Sequence, residues 1–244
     1  MDSYAIRSRA WKIEPMTPDA TTICEKTLKA WRFLYRRGFI EGFGHISARL
    51  PDSDEFLLTR HSLGPRAAQD DLVRMNLKGR KLAGKGAPPG EFPIHLEIYR
   101  ARPDVGSIIH YHGLYATAFT TSALMLKPIH VLASIFRDGI PIYGDPKLVS
   151  DPQRGRALAG VLGMSRVALM RAHGVVATGA DVEEAVAAAF IIEENAHRAC
   201  LSCALGGPIW LDEKTIVEAG EELISSRGPF RRVWAMVESD AEQA

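Results

Sequence analysis

Along this chain, apolar positions recur at helical spacing in some stretches and run continuously or alternate in others. After Thr17-Pro18-Asp19, which fits a helix start with Thr17 as N-cap, apolar residues follow at helical intervals from about Ala20 to Arg37 and stop at Gly38. That predicts an amphipathic first helix. Gly42 to Leu50 reads as a glycine-flanked turn running into a strand; Pro51-Asp52-Ser53-Asp54 is a turn, and Glu55 to Thr59 returns as the hairpin partner. Asn76 to Leu82 predicts a second tight hairpin with Gly79 in its turn. Gly84 to Gly90 is a Gly/Pro-rich loop, followed by a helix from Glu91 to about Ala101. A buried strand over 105–112 comes next, then a helix around 114–122. Val131 to Phe136 and Ile140 to Tyr143 are short apolar runs, and another helix is expected at roughly 151–163. Val167 to Ala177 reads as strand, tight turn, strand; Asp181 caps a long alanine-rich helix to about Leu205, and a last helix begins near Asp212. Strands with interspersed helices predict an α/β domain with a central sheet covered by helices.

Composition narrows the picture without redirecting it. With 244 residues, 46% of them hydrophobic and 24% charged, a single domain over 1–244 is the simplest organisation, with an N-terminal arm at 1–16 and a C-terminal tail at 229–244. The tail holds Phe230, Arg231, Arg232 and Trp234; a free, solvated tail is expected rather than one reaching a neighbouring site. A net charge of +1 gives no global field for nucleic acid or for an anionic membrane. Cys24, Cys200 and Cys203 cannot all pair, and Cys200-Leu-Ser-Cys203 lies in an apolar stretch of helical spacing, where reduced core cysteines are expected. No signal-peptide pattern opens the sequence and no apolar run of ~20 residues appears, so the expected location is the cytoplasm.

The candidate chemistry starts at Ile108-Ile109-His110-Tyr111-His112-Gly113. Side chains alternate along a strand, so His110 and His112 point the same way and bring two imidazoles to one face. His173, in Ala172-His173-Gly174, ends a second apolar strand, and Glu91 sits where the glycine-rich loop becomes a helix. Singly, each has an ordinary explanation: satisfied core histidines, or an acid favoured at a helix N-terminus. Together, three imidazoles and one carboxylate form a ligand set suited to Zn²⁺, Mn²⁺ or Fe²⁺.

Glu91, His110-Tyr-His112-Gly113 and His173-Gly174, with Gly44-His45-Ile46-Ser47-Ala48-Arg49 upstream, resemble the class II aldolase/adducin family over roughly residues 20 to 210. The resemblance implies a three-layer α/β/α fold with a central, mostly antiparallel sheet, and one divalent metal held by Glu91, His110, His112 and His173. It also implies proton transfer by Glu91, and a homotetramer with active sites between subunits. Departures from the sugar-phosphate aldolases of the family point to the substrate. Those enzymes carry Gly-Asn-aliphatic-Ser where this chain has Gly44-His45-Ile46-Ser47, Thr-Gly where it has His61-Ser62, and Ser-Ser where it has Pro89-Gly90. A phosphate dianion needs several hydroxyl and N–H donors, and these replacements remove donors while His45 and His61 add rings. The pattern suits a planar aromatic or heteroaromatic hydroxy-dicarboxylate, with His45, Arg60, His61 and Ser62 binding substrate, and resembles a decarboxylase branch of the family. Structural alternatives exist for Arg60, as a solvated strand-end charge, for His45, as a brace of its turn, and for His95, as core packing or an orienter of the site. Decarboxylation and aldol cleavage both leave an electron pair that a metal-chelated substrate can absorb. The expected activity is therefore a metal-dependent decarboxylase acting on a small aromatic carboxylate, the alternatives being an aldolase for an unphosphorylated aldol or an adducin-like binding module.

Overall fold

The computed structural model of the chain describes residues 18–242, so the expected N-terminal arm and the Thr17 cap lie outside the described residues. The first helix, α1, spans Pro18–Arg36. Four strands follow in hairpin succession: β1 (His45–Arg49), β2 (Glu55–Thr59), β3 (Leu72–Asn76) and β4 (Lys81–Ala83). Helix α2 (Phe92–Ala101) leads to β5 (Ser107–Tyr111) and the short α3 (Leu114–Phe119). Next come β6 (Ile142–Tyr143), α4 (Pro152–Leu162), β7 (Val167–Met170) and β8 (Gly174–Gly179). Three helices close the chain: α5 (Val182–Ala204), α6 (Glu213–Ser226) and α7 (Gly228–Glu242). The starts of α4, α5 and α6 are set by Asp151, Asp181 and Asp212, whose side chains accept from Arg154, Glu184 and Thr215 N–H, each at 2.9 Å. The apolar run Val131–Phe136 forms a 3-10 segment.

The strands form one eight-stranded sheet in the order β4-β3-β2-β1-β5-β8-β7-β6. Every pairing is antiparallel except β6 with β7. Alternation along the strands builds two cores. Ile46, Ala48, Ile109, Tyr111, Val175 and Ala177 pack with residues of α1, α5 and α7, whereas Phe56, Leu58, Ile108, Val176 and Met170 pack with α2 and α4. This is the expected α/β/α sandwich.

Two expectations are corrected. The chain beyond Pro229 is no solvated tail: Phe230, Val233, Trp234 and Val237 recur at i, i+3, i+4 and i+7, and all are buried on the α1–α5 side of the sheet. Arg227 anchors the start of α7 by donating to Asp181 at 2.7 Å and pairing with Glu184, which also receives Arg166 at 2.8 Å. Nor does the cysteine pair lie wholly in the core, although Cys200 packs against it. Cys200 and Cys203 are free, Cys200 is half-buried, and Cys203 is exposed because it falls on the outward side near the end of α5.

Candidate metal centre and active site

The antiparallel pairings bring the start of β1, the end of β2, the end of β5 and the start of β8 to one edge of the sheet. His45 is register partner of His110, and His110 is register partner of Val176. Since Ile108 faces α2, His110 and its partner His45 face the same layer. Close packing at this edge needs glycine. Gly44 has φ +109°, and a Cβ there would stand 2.8 Å from the His110 carbonyl oxygen; a Cβ on Gly174 would stand 2.5 Å from that of Tyr111 and 3.0 Å from the His112 ring.

His110 is fully buried, and its Nδ1 lies 3.1 Å from the Val175 carbonyl oxygen, which can only accept. Nδ1 therefore carries the proton and Nε2 presents a lone pair, with no hydrogen-bond partner of its own among the described residues. Both nitrogens of buried His173 are likewise without partners. His173 leaves a tight turn at Ala172, whose left-handed backbone (φ +50°) is held by donation of its N–H to Thr120 Oγ1 at 2.9 Å. His112 lies just past the end of β5, exposed, with its ring stacked on Phe43 at 5.8 Å between centroids. Glu91 stands at the N-cap of α2 but makes no side-chain cap. Its Oε1 accepts from Val149 N–H at 2.8 Å, and its Oε2 is 3.5 Å from His173 Nε2 and 3.7 Å from His110 Nε2.

One ligand atom from each of Glu91, His110, His112 and His173 lies within 4.8 Å of all the others. Four ligands around a tetrahedral cation with ~2.1 Å bonds sit about 3.4 Å apart, close to the two Glu91 separations. Buried imidazole nitrogens left without hydrogen bonds are costly unless something else takes their lone pairs. The donor set fits a divalent cation. Its electrostatics agree, since metal binding requires neutral imidazoles and an ionised acid. Burial, reinforced by His45, holds His110 well below the usual imidazole range, and burial with His173 lowers His112. Burial alone would raise Glu91, but His173, His110 and the Val149 N–H outweigh it and bring the carboxyl to about 2.

Of the residues singled out for substrate, His45 adjoins this group. His45 is buried, with its ring 4.9 Å from that of His110, and its Nδ1 is 2.6 Å from His95 Nε2. Arg60, His61 and Ser62 follow directly after β2 at the same edge of the sheet. Arg60 is heavily engaged: its Nε donates to Asp71 at 2.7 Å and its Nη1 to the His61 and Ser62 carbonyls at 3.1 and 3.2 Å. His61 and Ser62 are exposed, and His61 N–H donates to the Ala87 carbonyl at 2.9 Å, tying their loop to the Gly/Pro-rich one. Several supporting groups had no signal in the sequence. The Val149 N–H and Val175 C=O act through the backbone. Glu193 holds the start of α3, just beyond His112, by accepting from Tyr115 N–H at 2.6 Å and Ala116 N–H at 3.2 Å.

Residues 25–200 match the Class II Aldolase and Adducin N-terminal domain. The chain belongs to the class II aldolase/adducin family. Among its relatives is the 3,4-dihydroxyphthalate decarboxylase of Terrabacter sp. (strain DBF63), 32% identical over 199 residues, covering 73% of this chain and 80% of the relative. The 3-oxo-tetronate 4-phosphate decarboxylase of Haemophilus influenzae is 30% identical over 190 residues, covering 72% and 87%. Among solved structures, the L-fuculose 1-phosphate aldolase from Glaciozyma antarctica PI12 superposes with a TM-score of 0.81 at 22% identity, covering 94% of this chain and 95% of that one. That likeness bears on the fold. The class II aldolase/adducin fold and the four-residue group at its sheet edge together make this chain a metal-dependent lyase scaffold.

Proposed function

We propose that this class II aldolase/adducin protein is a non-oxidative decarboxylase of a hydroxylated aromatic or heteroaromatic dicarboxylate. The observation that carries the reading is the neighbourhood of Glu91: it is preceded by Pro88-Pro89-Gly90, which offers no side-chain hydroxyl, and the nearby His110 is flanked by the ring of His45. A dianionic phosphate would find few donors there, whereas a flat ring bearing carboxylates finds imidazoles and open space beside Gly90, where, its chain neighbours apart, no atom of the described residues lies within 4 Å of a Cβ position. The name of the Terrabacter relative supports the same substrate class.

Glu91, His110, His112 and His173 would hold one divalent cation, Zn²⁺, Mn²⁺ or Fe²⁺, which supplies Lewis-acid stabilisation of negative charge. In this reading the Glu91 carboxylate, oriented by the Val149 N–H on its Oε1, takes the proton of the substrate hydroxyl. The bond to the departing carboxylate breaks, CO₂ leaves, and the electron pair stays on the ring carbon. Glu91 returns its proton to that carbon, and the product hydroxyl recovers one from solvent. His45, His61, Ser62 and Arg60 would hold the remaining carboxylate, with Arg60 also bracing the loop through Asp71. The active form is proposed to be a homotetramer with sites at subunit interfaces; the exposed Phe43, stacked on His112, offers an apolar surface beside the site.

The product decides between this and aldol cleavage. Vicinal dihydroxyphthalates and pyridine dicarboxylates should release CO₂ without an aldehyde, and Glu91→Gln should lower kcat by at least 100-fold. Release of aldehyde or pyruvate from unphosphorylated aldols, with no CO₂ from the dicarboxylates, would favour the aldolase.

A further inference from the structure

A buried line of polar groups runs from His45 into the layer between β1 and α2. His45 Nδ1 is 2.6 Å from His95 Nε2, His95 Nδ1 is 2.6 Å from Ser47 Oγ, and Ser47 Oγ is 2.8 Å from Tyr99 Oη. All four residues are buried, three of them to 1% exposure or less. Their meeting follows from the elements: His45 and Ser47 are two apart on β1 and share a face, while His95 and Tyr99 are four apart on α2 and share a face.

The far end of this line sets its direction. Beyond Ser47, the only partner within reach of Tyr99 Oη among the described residues is the Gly106 carbonyl, at 3.5 Å, and that oxygen already accepts Arg49 N–H at 2.8 Å. A 3.5 Å contact is a poor use of a buried hydroxyl proton when a 2.8 Å one is open. Tyr99 therefore donates to Ser47, whose single proton must go to His95 Nδ1. Neutral His95 then carries its proton on Nε2 and donates it to His45 Nδ1. With Nδ1 accepting, neutral His45 must bear its proton on Nε2, the nitrogen left for the site.

We propose that Tyr99, Ser47 and His95 are positioning residues that lock His45 as a neutral Nε2–H donor, making this corner of the site selective for an acceptor-only group such as a substrate carboxylate. The selectivity rests on the decarboxylase reading; the locked tautomer does not. The line is a brace and not a proton wire, because a proton passed outward from His45 would have to be replaced from Tyr99, whose buried hydroxyl resists ionisation.

The test is the tautomer itself, read by long-range ¹⁵N–¹H correlation on ¹⁵N-histidine-labelled, metal-free protein, with His45 and His95 assigned through His→Gln variants. Wild type should show both rings as Nε2–H. Ser47→Ala should convert His95 or His45 to a mixture of tautomers and Ser47→Thr should restore the pattern, while Tyr99→Phe, the milder change, should loosen it in the same direction. Observing His45 as Nδ1–H in wild type, or an unchanged pattern in both Ser47→Ala and Tyr99→Phe, would overturn the proposal. On turnover, replacing the substrate's second carboxylate by a carboxamide should cost wild type at least tenfold in kcat/KM and Ser47→Ala less than half as much. Equal discrimination by the two would overturn the selectivity. Absence of CO₂ release from any dicarboxylate alongside the expected tautomers would remove the decarboxylase reading and leave the brace standing.

Discussion

At the scale of single residues, the site is made by groups that give up ordinary satisfaction. Among the described residues, His110 keeps one hydrogen bond, to Val175, and leaves Nε2 bare; buried His173 leaves both ring nitrogens bare. A core would fill such positions with Leu or Val, so the cost marks a place where another ligand binds. Gly174 permits the arrangement by letting β8 start against His110 and His112. Gly174→Ala should therefore weaken metal retention by about 10- to 100-fold, the scale of other changes that misplace ligands from outside the coordination shell. The check is competition for bound metal against a chromogenic chelator, with a thermal melt to confirm the fold; wild-type retention would show that the ligand geometry tolerates the methyl group.

Elements explain why some of this was legible from the chain and some was not. The strand-end histidines declared themselves through the period-two spacing of His110 and His112 and through the glycine that follows His112 and His173. The Glu91 junction declared itself through the Gly/Pro loop. Helix α7 was legible in principle, since Phe230, Val233, Trp234 and Val237 make a clean i, i+3, i+4, i+7 stripe. With Arg231 and Arg232 among them, these residues read instead as a solvated tail. The Arg166 and Arg227 guanidiniums in fact cover the buried Phe230 ring at 5.1 and 5.7 Å. The line through His95 and Ser47 was not legible, because it depends on how α2 docks on β1. Phe230→Ala, which empties a fully buried site, should cost about 3–5 kcal/mol in urea unfolding. A cost below ~1 kcal/mol would show α7 to be dispensable to the core.

The whole molecule carries an acid sensitivity built into this edge of the sheet. Burial lowers His95 from 6.5 to about 3, and it acts in the same direction on His45 and His110. In the unfolded chain these rings take up protons as pH falls through about 6.5, while the folded protein does not. The stability they contribute is thus fully present above about 6.5 and is lost as pH drops toward 3. His95 alone sets a slope of ~1.4 kcal/mol per pH unit within that window. Urea midpoints of metal-free protein at pH 7.5, 6 and 5 should fall accordingly, and a flat profile would show the rings to be solvated. The central claim is that Glu91, His110, His112 and His173 share one cation. Its most direct measurement is elemental analysis of dialysed wild type beside His112→Ala and Glu91→Gln. The account predicts about one divalent ion per chain in wild type and at least a tenfold loss of affinity in His112→Ala. Full metal occupancy and full turnover in His112→Ala would contradict it.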